Sequence, residues 1–265
     1  HLPELTGHPT GVTGTEVDAG GVPAIWADSE GGSSEHVIQY VHGGGYVIGN
    51  ADFYRKLTGH MAAATGCRVL NVDYRLAPEH PHPAPVEDST AVYQWLLAEG
   101  YAPEHIAISG DSAGGGLTLA TLIWLRDHDV PLPAAAVPIS PWADLEALGA
   151  SMVDNAEADL LVSIDMLKAF GDMFLAGQEA RQPLAAPIYA DYRGIPPLYI
   201  QVGGAETLLD DATRVVKAAE AAGVDVTLEV FPEMQHVFQL GAGNVPEADE
   251  ALAKMASFLR QRMEL

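Results

Sequence analysis

The stretch Gly110-Asp111-Ser112-Ala113-Gly114 sets a serine between small residues at the end of an apolar run and the start of a helical one. A strand, a sharp turn and a helix in that order form the frame of a nucleophile elbow, which lifts a serine hydroxyl out of the backbone. The helix dipole behind Ser112 favours negative charge developing at its N-terminus. Upstream, His42-Gly43-Gly44-Gly45 follows the apolar run 37–41. Without side chains, such a loop can turn its N–H groups inward as an oxyanion hole. The donors expected there are the N–H groups of Gly44, Gly45 and Ala113. His42 is expected to anchor this loop rather than to act as a base.

A serine is a poor nucleophile until a base takes its proton. Of the ten histidines only His128 and His236 follow Ser112. His128 ends the helix that starts at the elbow, in Arg126-Asp127-His128-Asp129. His236 lies on a loop just after the last apolar run, so it is the expected base. The acid should come from the loop Gly203-Gly204-Ala205-Glu206-Thr207-Leu208-Leu209-Asp210-Asp211. Glu206 is nearest the end of the preceding run and is the expected partner of His236. Asp210 is the second choice, because Asp210 and Asp211 fall in the first turn of a helix, where acidic residues serve as caps. The chemistry of this set is acyl transfer through a covalent serine ester.

The elements that must hold these groups alternate along the chain. Strands are expected at 15–17, 24–27, 37–41, 69–74, 106–109, 135–139, 198–202 and 226–231. Helices are expected at 52–65, 85–98, 112–127, 208–222 and 247–263, with Gly223 as a helix stop. That order implies a mostly parallel eight-stranded sheet with helices on both faces and right-handed crossovers. The first two strands have no helix between them, so an antiparallel edge is expected. Residues 141–183 contain no strand and one amphipathic helix at 163–176, longer than a plain crossover needs. They are expected to form a small helical cap inserted into a core made of 1–140 and 184–265. Trp142, Met152, Met166 and Phe170 are candidates for pocket walls or for ordinary core packing.

Three spaced motifs together resemble the bacterial hormone-sensitive-lipase-like esterases, the GDSAG branch of the family IV carboxylesterases. They are His42-Gly43-Gly44-Gly45-Tyr46, Asp73-Tyr74-Arg75-Leu76-Ala77-Pro78-Glu79-His80 and Gly110-Asp111-Ser112-Ala113-Gly114-Gly115. The resemblance implies an α/β-hydrolase fold, a cap over a Ser–acid–His triad, and hydrolysis of short- to medium-chain carboxylic esters. It puts Ser112 and His236 in the nucleophile and base positions and makes Asp73, Arg75 and Glu79 structural. Where the family usually has Asp-x-Leu-x-Asp, this chain has Glu206-Thr207-Leu208-Leu209-Asp210. The segment that family chains carry before the first strand is nearly absent, so either the chain is truncated or processed or the site is expected to be more open, with a shallower, wetter acyl pocket. A lactonase or amidase on the same triad, or a non-catalytic ligand-binding domain, are the alternative readings.

Composition narrows the partners. With 36 acidic and 13 basic residues the formal net charge is −23, which disfavours nucleic acid and anionic membranes. Only four residues are lysines, and the acidic surface is expected to serve solubility. No apolar run reaches membrane-spanning length, and no secretory leader is visible after His1. The single cysteine, Cys67, allows no intrachain disulfide and suits a cytoplasmic protein. No metal or cofactor is expected. The substrate is expected to be a small-molecule ester, with a homodimer through the last edge strand, 226–231, as a further expectation.

Overall fold

Residue-by-residue alternation in the central strands decides the layering. In β3 (Val37–Val41) every residue is buried. Val37 and Val41 join one apolar cluster and Ile38 and Tyr40 the other, so successive side chains feed opposite faces. The same split runs through β5 (Ile106–Asp111), where Ile106 and Ile108 face one way and Ala107 the other. Helices must therefore cover both faces. On one side lie α2 (Ala84–Ala98), α3 (Ala113–Asp127) and α6 (Leu209–Ala221), packing Val92, Leu96, Leu117, Ala212 and Val215 against the sheet. On the other lie α1 (Arg55–Thr65) and α7 (Pro246–Arg262), contributing Leu57, Met61, Leu252, Met255 and Leu259.

These elements come from a computed structural model that describes residues 5–265. The opening residues read for a leader lie partly outside it. The sheet has eight strands in the order β1-β2-β4-β3-β5-β6-β7-β8. The remaining strands are β1 (Val12–Asp18), β2 (Pro23–Ser29), β4 (Arg68–Val72), β6 (Ala135–Ile139), β7 (Leu198–Gly203) and β8 (Val226–Phe231). Pairings from β4 through β8 are parallel, and β1 and β2 make the expected antiparallel edge. This is the mostly parallel eight-stranded sheet that the alternation implied.

Two boundaries moved for local reasons. β4 was expected to run to residue 74 but ends at Val72. Beyond it the Asp73 carboxylate accepts the Ala51 N–H at 2.8 Å, and the Tyr74 hydroxyl reaches the His42 carbonyl at 2.6 Å. Helix α1 was expected from residue 52 but begins at Arg55, because the Asn50 side chain accepts the Phe53 N–H and closes a turn first. Gly223 does follow the end of α6 with φ 79°.

Between β6 and β7 the chain leaves the sheet and builds α4 (Ser151–Asp154) and α5 (Ile164–Leu175). Ser163 caps α5 by accepting the Met166 N–H. Trp142 and Met152 are buried in the large cluster, while Met166 and Phe170 are partly exposed against it. Among the described residues no helix is long and apolar enough to cross a membrane.

Candidate active site

In a parallel sheet the loops after successive strands gather at one edge, the carboxyl end. Ser112 follows β5, Glu206 follows β7 and His236 follows β8, so all three lie along that edge. Ser112 is half-buried and holds φ 54° and ψ −119°, a conformation sparsely populated by residues with a Cβ. Its N–H donates to the Ile139 carbonyl at 2.9 Å, and its own carbonyl accepts from Trp142 and from Gly116 in α3. These bonds over-determine the strained turn. The tightness also explains Gly114, where a Cβ would sit 1.9 Å from the Val41 carbonyl oxygen.

His236 is buried, and its Nδ1 lies 2.9 Å from Oε1 of Glu206. Glu206 is fully buried. Its other oxygen, Oε2, accepts the Ser140 hydroxyl at 2.7 Å and the Gly203 N–H at 2.8 Å. Those two donors fix the carboxylate in rotation, so Oε1 is left facing the imidazole. Burial on its own would lower the pKa of His236. The carboxylates of Glu206, Asp159 and Asp111 outweigh that and raise it above the ordinary histidine value. Glu206 is the group bonded to the imidazole, while Asp111 and Asp159 act on it through charge alone.

Asp210 is elsewhere. It accepts the Ser151 N–H at 3.0 Å and a hydroxyl bond from Thr213. Asp211 accepts the N–H groups of Ala143 and Asp144, both at 2.8 Å, and burial raises its pKa to about 7. Both acids thus tie helix α6 to the segment after β6. His128 stacks on Trp124 at the far end of α3.

The glycine loop is held by a partner that sequence reasoning passed over. The buried carboxylate of Asp111 accepts the Gly43 N–H at 2.9 Å, the Tyr40 hydroxyl at 2.6 Å and the Tyr54 hydroxyl at 3.0 Å. Burial raises the pKa of Asp111, while the two tyrosine hydrogen bonds oppose the rise. With Gly43 engaged there, Gly44 and Gly45 are the next N–H groups along the turn. Gly45 has φ 62°, and a Cβ on it would lie 2.1 Å from the Phe170 ring, so helix α5 leans directly on this loop. His42 stacks between Tyr54 and Tyr74 and reaches its neighbour's carbonyl, Gly43 O, at 2.7 Å. Burial lowers its pKa, so it stays neutral as an anchor of the loop. Nothing in the pattern around the motif marked the Asp111 latch. Ser140 carried no signal at all.

A parallel sheet with a strained serine elbow, a glycine turn and a carboxylate-bound histidine at its carboxyl edge defines a serine hydrolase of the α/β type. Residues 38–240 match the family of the alpha/beta hydrolase fold. The chain is 44% identical over 223 residues to an acetyl-hydrolase of Streptomyces hygroscopicus, covering 84% of this chain and 75% of that one. It is 37% identical over 227 residues to an esterase of Acinetobacter venetianus, with 85% and 75% covered. A crystal structure of an esterase from the bacterial hormone-sensitive lipase family superposes with a TM-score of 0.97 at 48% identity, covering 98% of this chain and 88% of that one. EstE5, whose crystals were soaked with p-nitrophenyl butyrate, superposes with a TM-score of 0.96 at 40% identity, covering 100% and 90%. This chain belongs to the bacterial hormone-sensitive-lipase-like esterases, and its activity is carboxylic ester hydrolysis.

Proposed function

We propose that Ser112, His236 and Glu206 are the catalytic triad of this esterase and that Gly44, Gly45 and Ala113 supply its oxyanion hole. The observation that carries the reading is the hydrogen-bonded chain Ser140–Glu206–His236 at the same carboxyl edge of the sheet as the strained Ser112 elbow. His236 takes the proton of Ser112 as its oxygen attacks the ester carbonyl. The oxyanion is held by backbone N–H groups, and His236 then protonates the leaving alcohol. Water repeats the sequence on the acyl-enzyme. The latch of Gly43 on Asp111 supports Gly44 and Gly45 as the free donors.

Residues 141–183 serve as the lid in this reading. Phe170 leans on Gly45, Asn155 donates to the Glu206 carbonyl at 2.8 Å, and the Leu160 N–H donates to the Gln235 side chain beside His236. Short- to medium-chain esters are the substrates that the family resemblance implies, and the p-nitrophenyl butyrate soaked into EstE5 makes butyrate the natural first probe. A fluorophosphonate reagent is expected to label the protein once, on the peptide containing Ser112. A p-nitrophenyl series from acetate to palmitate should peak at the short end. Labelling on another peptide would remove Ser112 from the reading, and a peak at palmitate would remove the chain-length assignment.

The outer edge of β8 is a further feature. Among the described residues β8 pairs only with β7, and a free edge can pair with its own copy about a twofold axis. A homodimer through β8 is therefore expected, with light scattering giving twice the chain mass. A monomer at assay concentration would rule it out.

A further inference from the structure

The segment between α4 and α5 does more than cover the cleft. It grips both loops that carry the acid and the base. Asn155 Nδ2 donates to the carbonyls of Glu206 and Gly204 at 2.8 and 3.2 Å. Gln235, next to His236, accepts the Leu160 N–H at 2.8 Å and donates to the Ala158 carbonyl at 2.9 Å. Between these clamps stands Asp159, a buried carboxylate that the mechanism does not use. Its Oδ2 accepts the N–H of Thr207 at 2.7 Å and the Thr207 hydroxyl at 2.9 Å. Thr207 is the neighbour of Glu206. Its Oδ1 accepts the N–H groups of Leu161 and Val162, both at 2.9 Å.

We propose that Asp159 is a positioning residue for the base: it fixes the acid-bearing loop through Thr207 and adds a second negative charge to the buried surroundings of His236. The inference rests on the reading of Glu206 and His236 as acid and base. The four bonds that hold Asp159 come from N–H and O–H dipoles, not from a cation, so its net charge is not neutralised by a counter-ion. In a buried site its field reaches the imidazole with little screening. The charged groups that act on His236 are Glu206 from the loop before α6, Asp159 from the α4–α5 segment and Asp111 from β5, and all three favour the protonated ring. They make His236 a stronger base at the moment it receives the proton of Ser112. The lid thereby contributes to proton transfer as well as to substrate enclosure.

The sign of the test follows. His236 must be neutral to act, so activity rises with pH through its pKa. Removing the charge of Asp159 makes the ring less basic, and the acid limb of kcat/KM moves to lower pH. Asp159→Asn is expected to do this while lowering kcat about tenfold, below the 10²–10³ typical of a lost oxyanion donor, with KM nearly unchanged. Asn turns an amide N–H₂ toward the Thr207 donors, so Asp159→Ser is run beside it. A serine hydroxyl still caps the Leu161 and Val162 N–H groups, though more weakly. Each variant is checked by circular dichroism, and p-nitrophenyl butyrate hydrolysis is followed from pH 5 to 9. A folded variant whose acid limb stays in place overturns the proposal. So does failure of both variants to fold, which would make Asp159 structural only. If instead wild type lacks an acid limb, or Glu206→Gln leaves activity intact, the triad reading itself falls.

Discussion

Ser112→Ala is expected to lower kcat on p-nitrophenyl butyrate by about 10⁶-fold, with KM close to wild type and the melting temperature nearly unchanged. The size follows from what is removed. Without an Oγ there is no acyl-enzyme, and water must attack directly with no residue placed to split the reaction in two. What remains is the glycine turn, which still polarises the carbonyl, and substrate binding, together giving about 10³–10⁴ over the uncatalysed rate. Stability is spared because the bonds that fix the elbow are all backbone. The N–H of residue 112 still donates to Ile139, and its carbonyl still accepts from Trp142 and Gly116. Alanine at φ 54° carries the same Cβ strain as serine, so the turn is no worse off. Initial rates, a melting curve and fluorophosphonate labelling on one purified batch check all three claims. A stable variant that keeps even a hundredth of the activity would show that another nucleophile is at work.

The frame of this site was legible because it depends on local pattern. The apolar run 135–139, and 37–41 with its single glutamine, read as covered strands, and their ends coincide with the observed β6 and β3. The elbow announces itself because small residues are the only ones that fit beside Ser112. The groups that hold the machinery left no such trace. Ser140 is one serine among many until the sheet brings β6 next to β7 and its hydroxyl meets Glu206. Asp111 looks like filler in the elbow motif until Tyr40, Tyr54 and Gly43 converge on it from another strand, a helix approach and a loop. Asn155 and Asp159 sit in a segment with no regular structure, and their partners lie about 50 residues away in sequence. Such contacts are products of topology, so composition and spacing cannot report them. The departures in β4 and α1 have the same origin, since side chains of Asp73 and Asn50 take backbone donors that a continued strand or helix would have left free.

The choice between two carboxylates rests on topology where spacing left it open, and it gives the second large effect. Glu206→Gln is expected to lower kcat about 10⁴-fold, the size seen when the acid of such a triad is replaced by its amide. Asp210→Asn should stay within a few-fold of wild type. Charge is only part of the reason. At residue 206 the Oε2 position faces two donors, the Ser140 hydroxyl and the Gly203 N–H. A glutamine must put its carbonyl oxygen there, since an N–H₂ group would oppose both. Its amide nitrogen then faces Nδ1 of His236 and donates to it. An imidazole that accepts at Nδ1 carries its proton on Nε2, where the hydroxyl of Ser112 needs an acceptor. The variant is thus trapped in the wrong tautomer, with geometry intact and the base disabled. Asp210 has no comparable hold, since it accepts from Ser151 and Thr213 at the start of α6. Its amide would remove a negative charge from the first turn of α6, costing about 0.3–1 kcal/mol, and leave the imidazole alone. Rates and melting curves of the two variants separate the roles. An inactive Asp210→Asn protein beside an active Glu206→Gln protein would transfer the acid's part to Asp210 and break the link from Ser140 to the base.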